Sequence, residues 1–302
     1  MRASLRPPGD SEDHYDRTLT LRDGRRLGFA DVGDSAGRAV LYCHGFPACR
    51  KEAALVATAA RRQGARIVAP DRPGYGLSDW WPERTFADWP GDVAQLADAL
   101  GWGRFAVLAV SGGAPYGLAL AHGLGERVES LTIVAGLGPV YDPVLAMAMH
   151  PPARFGFAAA RRAPWLLRLV YGRLFGALLR TQPELCLRLL TVAVREADRA
   201  TLSRPEVRAA LSESIREALR SGTQGALLDF ALYARDWGFD PGKITQPVVF
   251  WHGEADATVP LAHTLCLAER MPNATVIRCA GEGHFSLPIE HAGEILDKLL
   301  HG

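Results

Sequence analysis

Short apolar runs, bounded by glycine, proline or charged residues, recur along the chain at residues 39–43, 66–69, 105–110, 130–134, 248–251 and 275–278. Runs of this length without polar alternation are what strands buried on both faces look like, and helical patterns lie between most of them. Together they predict an α/β fold with a mostly parallel central sheet flanked by helices. Ahead of these runs, residues 18–31 alternate apolar and polar positions around Asp23-Gly24, which predicts an antiparallel hairpin with one face buried. One connecting helix can be bounded closely. Asp88-Trp89-Pro90 offers a capping residue and an early proline, Val93, Leu96, Ala97 and Leu100 share one face, and Gly101 follows.

The alternation of strand and helix breaks between residues 138 and 238, where several helical patterns rich in arginine and leucine follow one another without a convincing strand. The reading is a core built from residues 17–137 and 239–302, with residues 138–238 inserted as a helical cap. Residues 1–16 are rich in charge and proline and lack the apolar run of a secretory signal, so a flexible tail is expected there. The arginines between residues 154 and 180 interleave with Leu, Trp, Tyr and Phe at helical spacing, which favours the solvated face of amphipathic helices over a nucleic-acid patch.

Charge narrows the partners: 34 Lys plus Arg against 33 Asp plus Glu leave no field to gather nucleic acid or an anionic membrane. A small-molecule substrate is the expected partner; the oligomeric state is left open. No stretch of about 18 apolar residues exists, so no membrane span is expected. The five cysteines, Cys43, Cys49, Cys186, Cys266 and Cys279, stand singly without metal-ligand spacing. They read as reduced thiols of a cytoplasmic protein, and no metal site is expected.

The chemistry concentrates at ends of apolar runs. Phe105–Val110 leads into Ser111-Gly112-Gly113 and then a helical stretch, a strand, a sharp turn and a helix with serine at the turn. So tight a turn needs small residues on either side, and Ala109 and Gly113 supply them two positions away. This segment resembles the nucleophile elbow of the α/β-hydrolase family, usually G-x-S-x-G, with Ala109 in place of the first glycine. Three further segments extend the resemblance. Leu41-Tyr42-Cys43-His44-Gly45-Phe46-Pro47 is similar to the family's oxyanion loop, His252-Gly253-Glu254-Ala255-Asp256-Ala257-Thr258-Val259-Pro260 to its acid loop, and Gly281-Glu282-Gly283-His284 to its histidine loop. The loop around Gly74-x-Gly76 reads as a structural turn.

What the resemblance implies is a serine hydrolase with Ser111 as nucleophile, His284 as base, Asp256 orienting the histidine, and the N–H groups of Phe46 and Gly112 as the oxyanion hole. It implies no cofactor. Asp256 matches the family pattern better than Glu254, and His44 and His252 read as structural. Serine at the elbow argues against the epoxide hydrolases and haloalkane dehalogenases that share this core but use aspartate there. Ester or lactone hydrolysis is the first expectation. Carbon–carbon bond hydrolysis, amide hydrolysis, perhydrolase-type chemistry, biosynthetic acyl transfer or cyclisation, and a hydrolase-like ligand receptor remain alternatives. Met147 and Met149, with Phe155, Trp165 and Tyr171, are candidate substrate-binding residues in the cap.

Overall fold

The computed structural model describes residues 13–302. Eight strands form one sheet: β1 (His14–Thr20), β2 (Arg26–Gly33), β3 (Arg38–Cys43), β4 (Ala65–Pro70), β5 (Phe105–Val110), β6 (Val128–Val134), β7 (Val248–Gly253) and β8 (Ala274–Cys279). Their order across the sheet is β1-β2-β4-β3-β5-β6-β7-β8. The pairs β1·β2 and β2·β4 are antiparallel and every later pair is parallel. Each run expected to be a strand is one, with ends shifted by no more than two residues. The hairpin turns at Asp23-Gly24, with Gly24 at φ +86°. Most of the expected tail lies outside the described residues, but its last three, His14 to Asp16, already belong to β1.

Helices α1 (Ala54–Arg62), α2 (Trp89–Leu100) and α3 (Ala114–Leu124) precede β6. From Pro143 to Tyr233 the chain is a succession of helices joined by short turns: α4 (Pro143–Ala148), α5 (Pro151–Arg162), α6 (Pro164–Leu167), a π-helical segment Arg168–Phe175, α7 (Gly176–Thr181), α8 (Pro183–Ala193), α9 (Glu196–Ser203), α10 (Pro205–Ala218) and α11 (Gln224–Tyr233). Then α12 (Ala262–Ala268) joins β7 to β8, and α13 (Ser286–Glu290) and α14 (Ala292–His301) follow. None of these is long and apolar enough to cross a membrane.

Strand periodicity divides the core into two layers. Phe105, Val107 and Ala109 of β5 pack with α2, α3 and α12 on one face. Ala106, Leu108 and Val110 pack with α1 and α14 on the other. A third apolar cluster, with Leu187, Leu202, Leu211 and Ile215, lies among α7 to α10. The helix α2 ends at Gly101 in the left-handed conformation, φ +75°. Its start differs from expectation, because Asp88 is already helical. Its carboxylate reaches back to the Thr85 N–H and hydroxyl, both at 2.7 Å, so one further turn precedes α2.

The turn from β5 into α3 is the tightest junction in the fold. Ser111 adopts φ +53°, outside the region that side chains favour. A β-carbon on Gly113 would stand 2.2 Å from the Cys43 carbonyl oxygen, and one on Gly117 2.8 Å from the Ala109 β-carbon. These contacts explain why small residues surround the serine. Gly113→Ala is therefore expected to destabilise the protein by about 1–3 kcal/mol, the range for over-packing, because the obstructing atom is backbone and cannot turn away. Gly91 in α2 has open space at its β-carbon. Gly91→Ala should be neutral or stabilising by up to about 1 kcal/mol. Denaturant midpoints of the two variants measure the contrast.

Candidate active site

Four loops meet above the carboxyl ends of β3, β5, β7 and β8, the edge of a parallel sheet where ligands bind. Ser111 stands at the end of β5. Its Oγ lies 2.9 Å from His284 Nε2, in the loop after β8. His284 Nδ1 lies 2.8 Å from Asp256 Oδ2, in the loop after β7. The other carboxylate oxygen of Asp256 accepts the backbone N–H groups of Thr258 and Val259, each at 2.8 Å, which fixes its rotation. Glu254 faces solvent. His252 is buried, its Nε2 against the Val259 carbonyl and its Nδ1 against the Thr264 hydroxyl, so it braces the loop that carries Asp256.

Burial by itself pulls the His284 pKa down, since the imidazolium loses water. The Asp256 carboxylate outweighs this, with Asp198 and Glu52 adding to it, and the net effect is upward from the ordinary histidine value. Asp198 comes from α9, far away in sequence, and is buried. Its Oδ2 accepts the backbone N–H of His284 at 2.9 Å, and its Oδ1 accepts those of Phe285 and Ser286 at 2.8 and 2.9 Å. Gly283 leaves room for this grip, because a β-carbon there would lie 2.4 Å from the Asp198 carboxylate. A side chain of the helical segment thus holds the histidine loop by its backbone.

The backbone of Phe46 passes close to Gly112. A β-carbon on Gly112 would lie 3.5 Å from Phe46 N, and neither N–H donates to a protein acceptor among the described residues. The carbonyl ends of both peptides are tied down. Gly45 O accepts Arg72 Nη2 at 2.9 Å and faces His44 Nδ1 at 3.0 Å. Ser111 O accepts the N–H of Leu137 at 3.0 Å and that of Ala114. A carbonyl so engaged polarises its peptide and strengthens the N–H at the other end as a donor.

Arg72 belongs to a fully buried polar cluster centred on Asp229 of α11. Arg84 Nη2 donates to Asp229 Oδ1 at 2.6 Å, and the hydroxyls of Tyr75 and Tyr116 donate to its two oxygens at 2.8 and 2.5 Å. Arg72 Nε lies 3.0 Å from Oδ2 as an ion pair rather than a hydrogen bond, since its N–H points elsewhere. Burial would raise the Asp229 pKa; Arg72 and Arg84 overcome this and hold it at about 2. The hydroxyl of Tyr233, one turn along α11, has a single proton for the Gly112 carbonyl at 2.8 Å and Asp229 at 3.3 Å.

These loops open into a cavity of about 360 Å³ between the sheet and the helical segment, with Ser111, Gly112, Phe46 and His284 in its wall. Met149 also lines it. Met147 does not: it is 60% exposed. The reason is helical geometry: Leu145 marks the buried face of α4, Met147, two residues on, points the opposite way, and Met149, the buried residue that ends the helix, lies four residues beyond Leu145. Phe155 and Trp165 are exposed too, and Tyr171 packs on Phe46 and Phe230 outside the lining. No group of three or more His, Cys, Asp or Glu side chains among the described residues is placed to hold a metal ion.

Asp198, Asp229 and Tyr233 have no signature in the sequence because each acts on a segment far away along the chain, whereas Glu52 acts on Gly45 only seven residues before it. Only Glu52 left a trace, an acidic residue five positions beyond Pro47 at the start of a helical pattern.

Comparison with known proteins agrees with this architecture. The sequence model of the alpha/beta hydrolase fold family matches residues 38–290. The uncharacterized hydrolase YcgS of Bacillus subtilis (strain 168) is 25% identical over 281 residues, which cover 88% of this chain and 90% of that protein. A thermophilic esterase from Thermogutta terrifontis superposes with a TM-score of 0.68 at 20% identity, covering 94% of this chain and 96% of that one. A bromoperoxidase from Bacillus anthracis superposes with a TM-score of 0.70 at 19% identity, covering 94% and 98%. At these identities the superpositions establish the shared fold alone.

The Asp198 contact makes a prediction that needs no substrate. Asp198→Asn removes one of the negative charges that raise His284, so the imidazole titration followed by NMR is expected to move to lower pH. An unchanged or upward-moving titration in a folded variant would show that Asp198 does not act electrostatically on His284.

Proposed function

This chain belongs to the alpha/beta hydrolase fold family, and from that premise we propose that it is a serine hydrolase that cleaves apolar esters or lactones through an acyl-enzyme. The observation that carries the proposal is the unbroken line from Ser111 Oγ through the two ring nitrogens of His284 to Asp256, at 2.9 and 2.8 Å. In this reading residues 138–238 act as a cap over the cavity, and its apolar wall selects the substrate.

Ser111 Oγ attacks the substrate carbonyl carbon while His284 Nε2 takes the hydroxyl proton. Asp256 holds the tautomer with the proton on Nδ1 and stabilises the imidazolium that forms. Charge develops on the carbonyl oxygen, and the Phe46 and Gly112 N–H groups stabilise it, pre-aimed because their carbonyls are already engaged. Collapse of the tetrahedral intermediate breaks the bond to the leaving alcohol, which takes the proton back from His284. Water, deprotonated by His284, then attacks the acyl-enzyme carbonyl and releases the acid and free Ser111.

A fluorophosphonate tests this directly, because its phosphonyl oxygen occupies the site built for developing negative charge. One adduct per chain is expected, on the peptide containing Ser111, and none in Ser111→Ala. Labelling should weaken as pH falls through the raised His284 pKa, since the imidazolium cannot accept the proton. Asp256→Asn should fold normally and lose about three to four orders of magnitude in kcat on ester substrates. An adduct on another serine, or a folded wild-type protein that takes no label, overturns the assignment.

A further inference from the structure

We propose that Glu52 forms a polar subsite within the largely apolar cavity and that it takes a hydroxyl group of the substrate. The inference rests on the serine-hydrolase reading and adds to it what kind of substrate the cavity fits. Glu52 is buried in the single turn Arg50–Ala53 ahead of α1, and it lines the cavity that contains Ser111 and His284. Its Oε2 accepts the Gly45 N–H at 2.7 Å and the Tyr42 hydroxyl at 3.1 Å. Oε1 has no hydrogen-bond partner, yet it is not sealed within the protein as the other unpartnered buried polar atoms are. It sits against Gly45, where a β-carbon would come within 3.0 Å of it.

A carboxyl oxygen that opens into a largely apolar cavity can be met by water in the free enzyme, but a ligand that displaces the water must supply the hydrogen bond or leave the oxygen unpaired at a free-energy cost. Holding the Gly45 loop needs only Oε2, so that task does not account for Oε1. A hydroxyl fits it in either protonation state. Ionised, Oε1 accepts the hydroxyl proton; protonated, it donates to the hydroxyl oxygen. Burial raises the Glu52 pKa, against the Gly45 N–H, the Tyr42 hydroxyl and Arg72, which favour the ionised form. No lysine or arginine among the described residues lines the cavity to pair with a substrate carboxylate, and the one carboxyl there, Glu52, would repel it when ionised. Because Gly45 precedes Phe46, the anchored hydroxyl lies near the carbonyl that is attacked.

Isosteric ester pairs test the proposal, since an apolar cavity without a polar anchor prefers methyl over hydroxyl. The pairs are ethyl 3-hydroxybutanoate against ethyl 3-methylbutanoate and ethyl 6-hydroxyhexanoate against ethyl heptanoate, with monoethyl adipate as the carboxylate member. In the wild-type enzyme the hydroxyl member of at least one pair is expected to lead in kcat/KM by about tenfold, the effect of one hydrogen bond to a carboxyl group, with the carboxylate slowest. Glu52→Leu should reverse that preference, and Glu52→Gln, whose amide still pairs with a hydroxyl, should keep it. Each ratio is taken within one preparation, so a partial loss of active protein cancels. If Glu52→Leu does not fold, the wild-type ratios decide. Preference for the methyl member in both wild-type pairs, or an unchanged ratio in a folded Glu52→Leu, overturns the proposal. Fluorophosphonate labelling of Ser111 separates the two levels: a labelled enzyme without hydroxyl preference refutes the subsite alone, and an unlabelled one refutes the parent reading.

Discussion

A serine held at φ +53° costs on the order of 1–3 kcal/mol and persists only where its surroundings over-determine it. Ser111 is held in this way from several directions. Its carbonyl accepts two backbone N–H groups, one of them from Leu137 after the neighbouring strand. The next carbonyl, of Gly112, accepts the Tyr233 hydroxyl. Gly113 lets the β3 loop pass within contact of the turn, and Gly117 lets α3 lie against Ala109. Much of the surrounding packing follows from that one residue: strand and helix must approach closely, and the loop after β3 must cross above them, which brings Phe46 N close to Gly112.

The helical segment between β6 and β7 contributes to the site through carboxylates as well as through cavity lining. Asp229 of α11 binds Arg72 and Arg84 in the core, and Arg72 in turn holds the carbonyls of His44 and Gly45 at 2.6 and 2.9 Å. Asp198 of α9 holds the backbone of the His284 loop. Removing one partner from such a buried set leaves an uncompensated charge, typically at a cost of about 3–5 kcal/mol. Movement of α9 or α11 is therefore coupled to the loops that carry Phe46 and His284.

Legibility in the sequence followed the range of the interactions. The run Phe105–Val110 was readable because a strand buried on both faces has a local signature, and β5 has those same bounds. Ser111, Asp256 and His284 were readable because each stands in a short motif at the end of a strand, and the fold brings the three within hydrogen-bonding distance. Asp198 and Asp229 have no such motif. Each looks like a charged residue in a helical pattern until the long-range fold places backbone amides or guanidinium groups against it. Met147 and Met149 differ for a smaller reason: both are apolar, and only the phase of a six-residue helix, too short for its periodicity to be read, separates outward from inward.

The electrostatics of the site run in two directions at once. Asp256, Asp198 and Glu52 all raise the pKa of His284, and the imidazolium of the proposed reaction is stabilised by the same carboxylates. A negative field that favours a cation disfavours the oxyanion of that proposed reaction, which would need a local source of opposite sign. Arg72 lies behind the peptide that presents the Phe46 N–H. Its Nη1 and Nη2 hold two successive carbonyls while Asp229 lies 3.0 Å from its Nε as a counter-charge. A planar guanidinium can make the two hydrogen bonds at fixed angles, whereas a lysine ammonium lacks that fork. The cation thus polarises the peptide that carries the Phe46 N–H, the one the proposed reaction uses at its oxyanion, without entering the cavity, where it would attract carboxylates. That placement keeps the cavity apolar and leaves Glu52 as its one carboxyl.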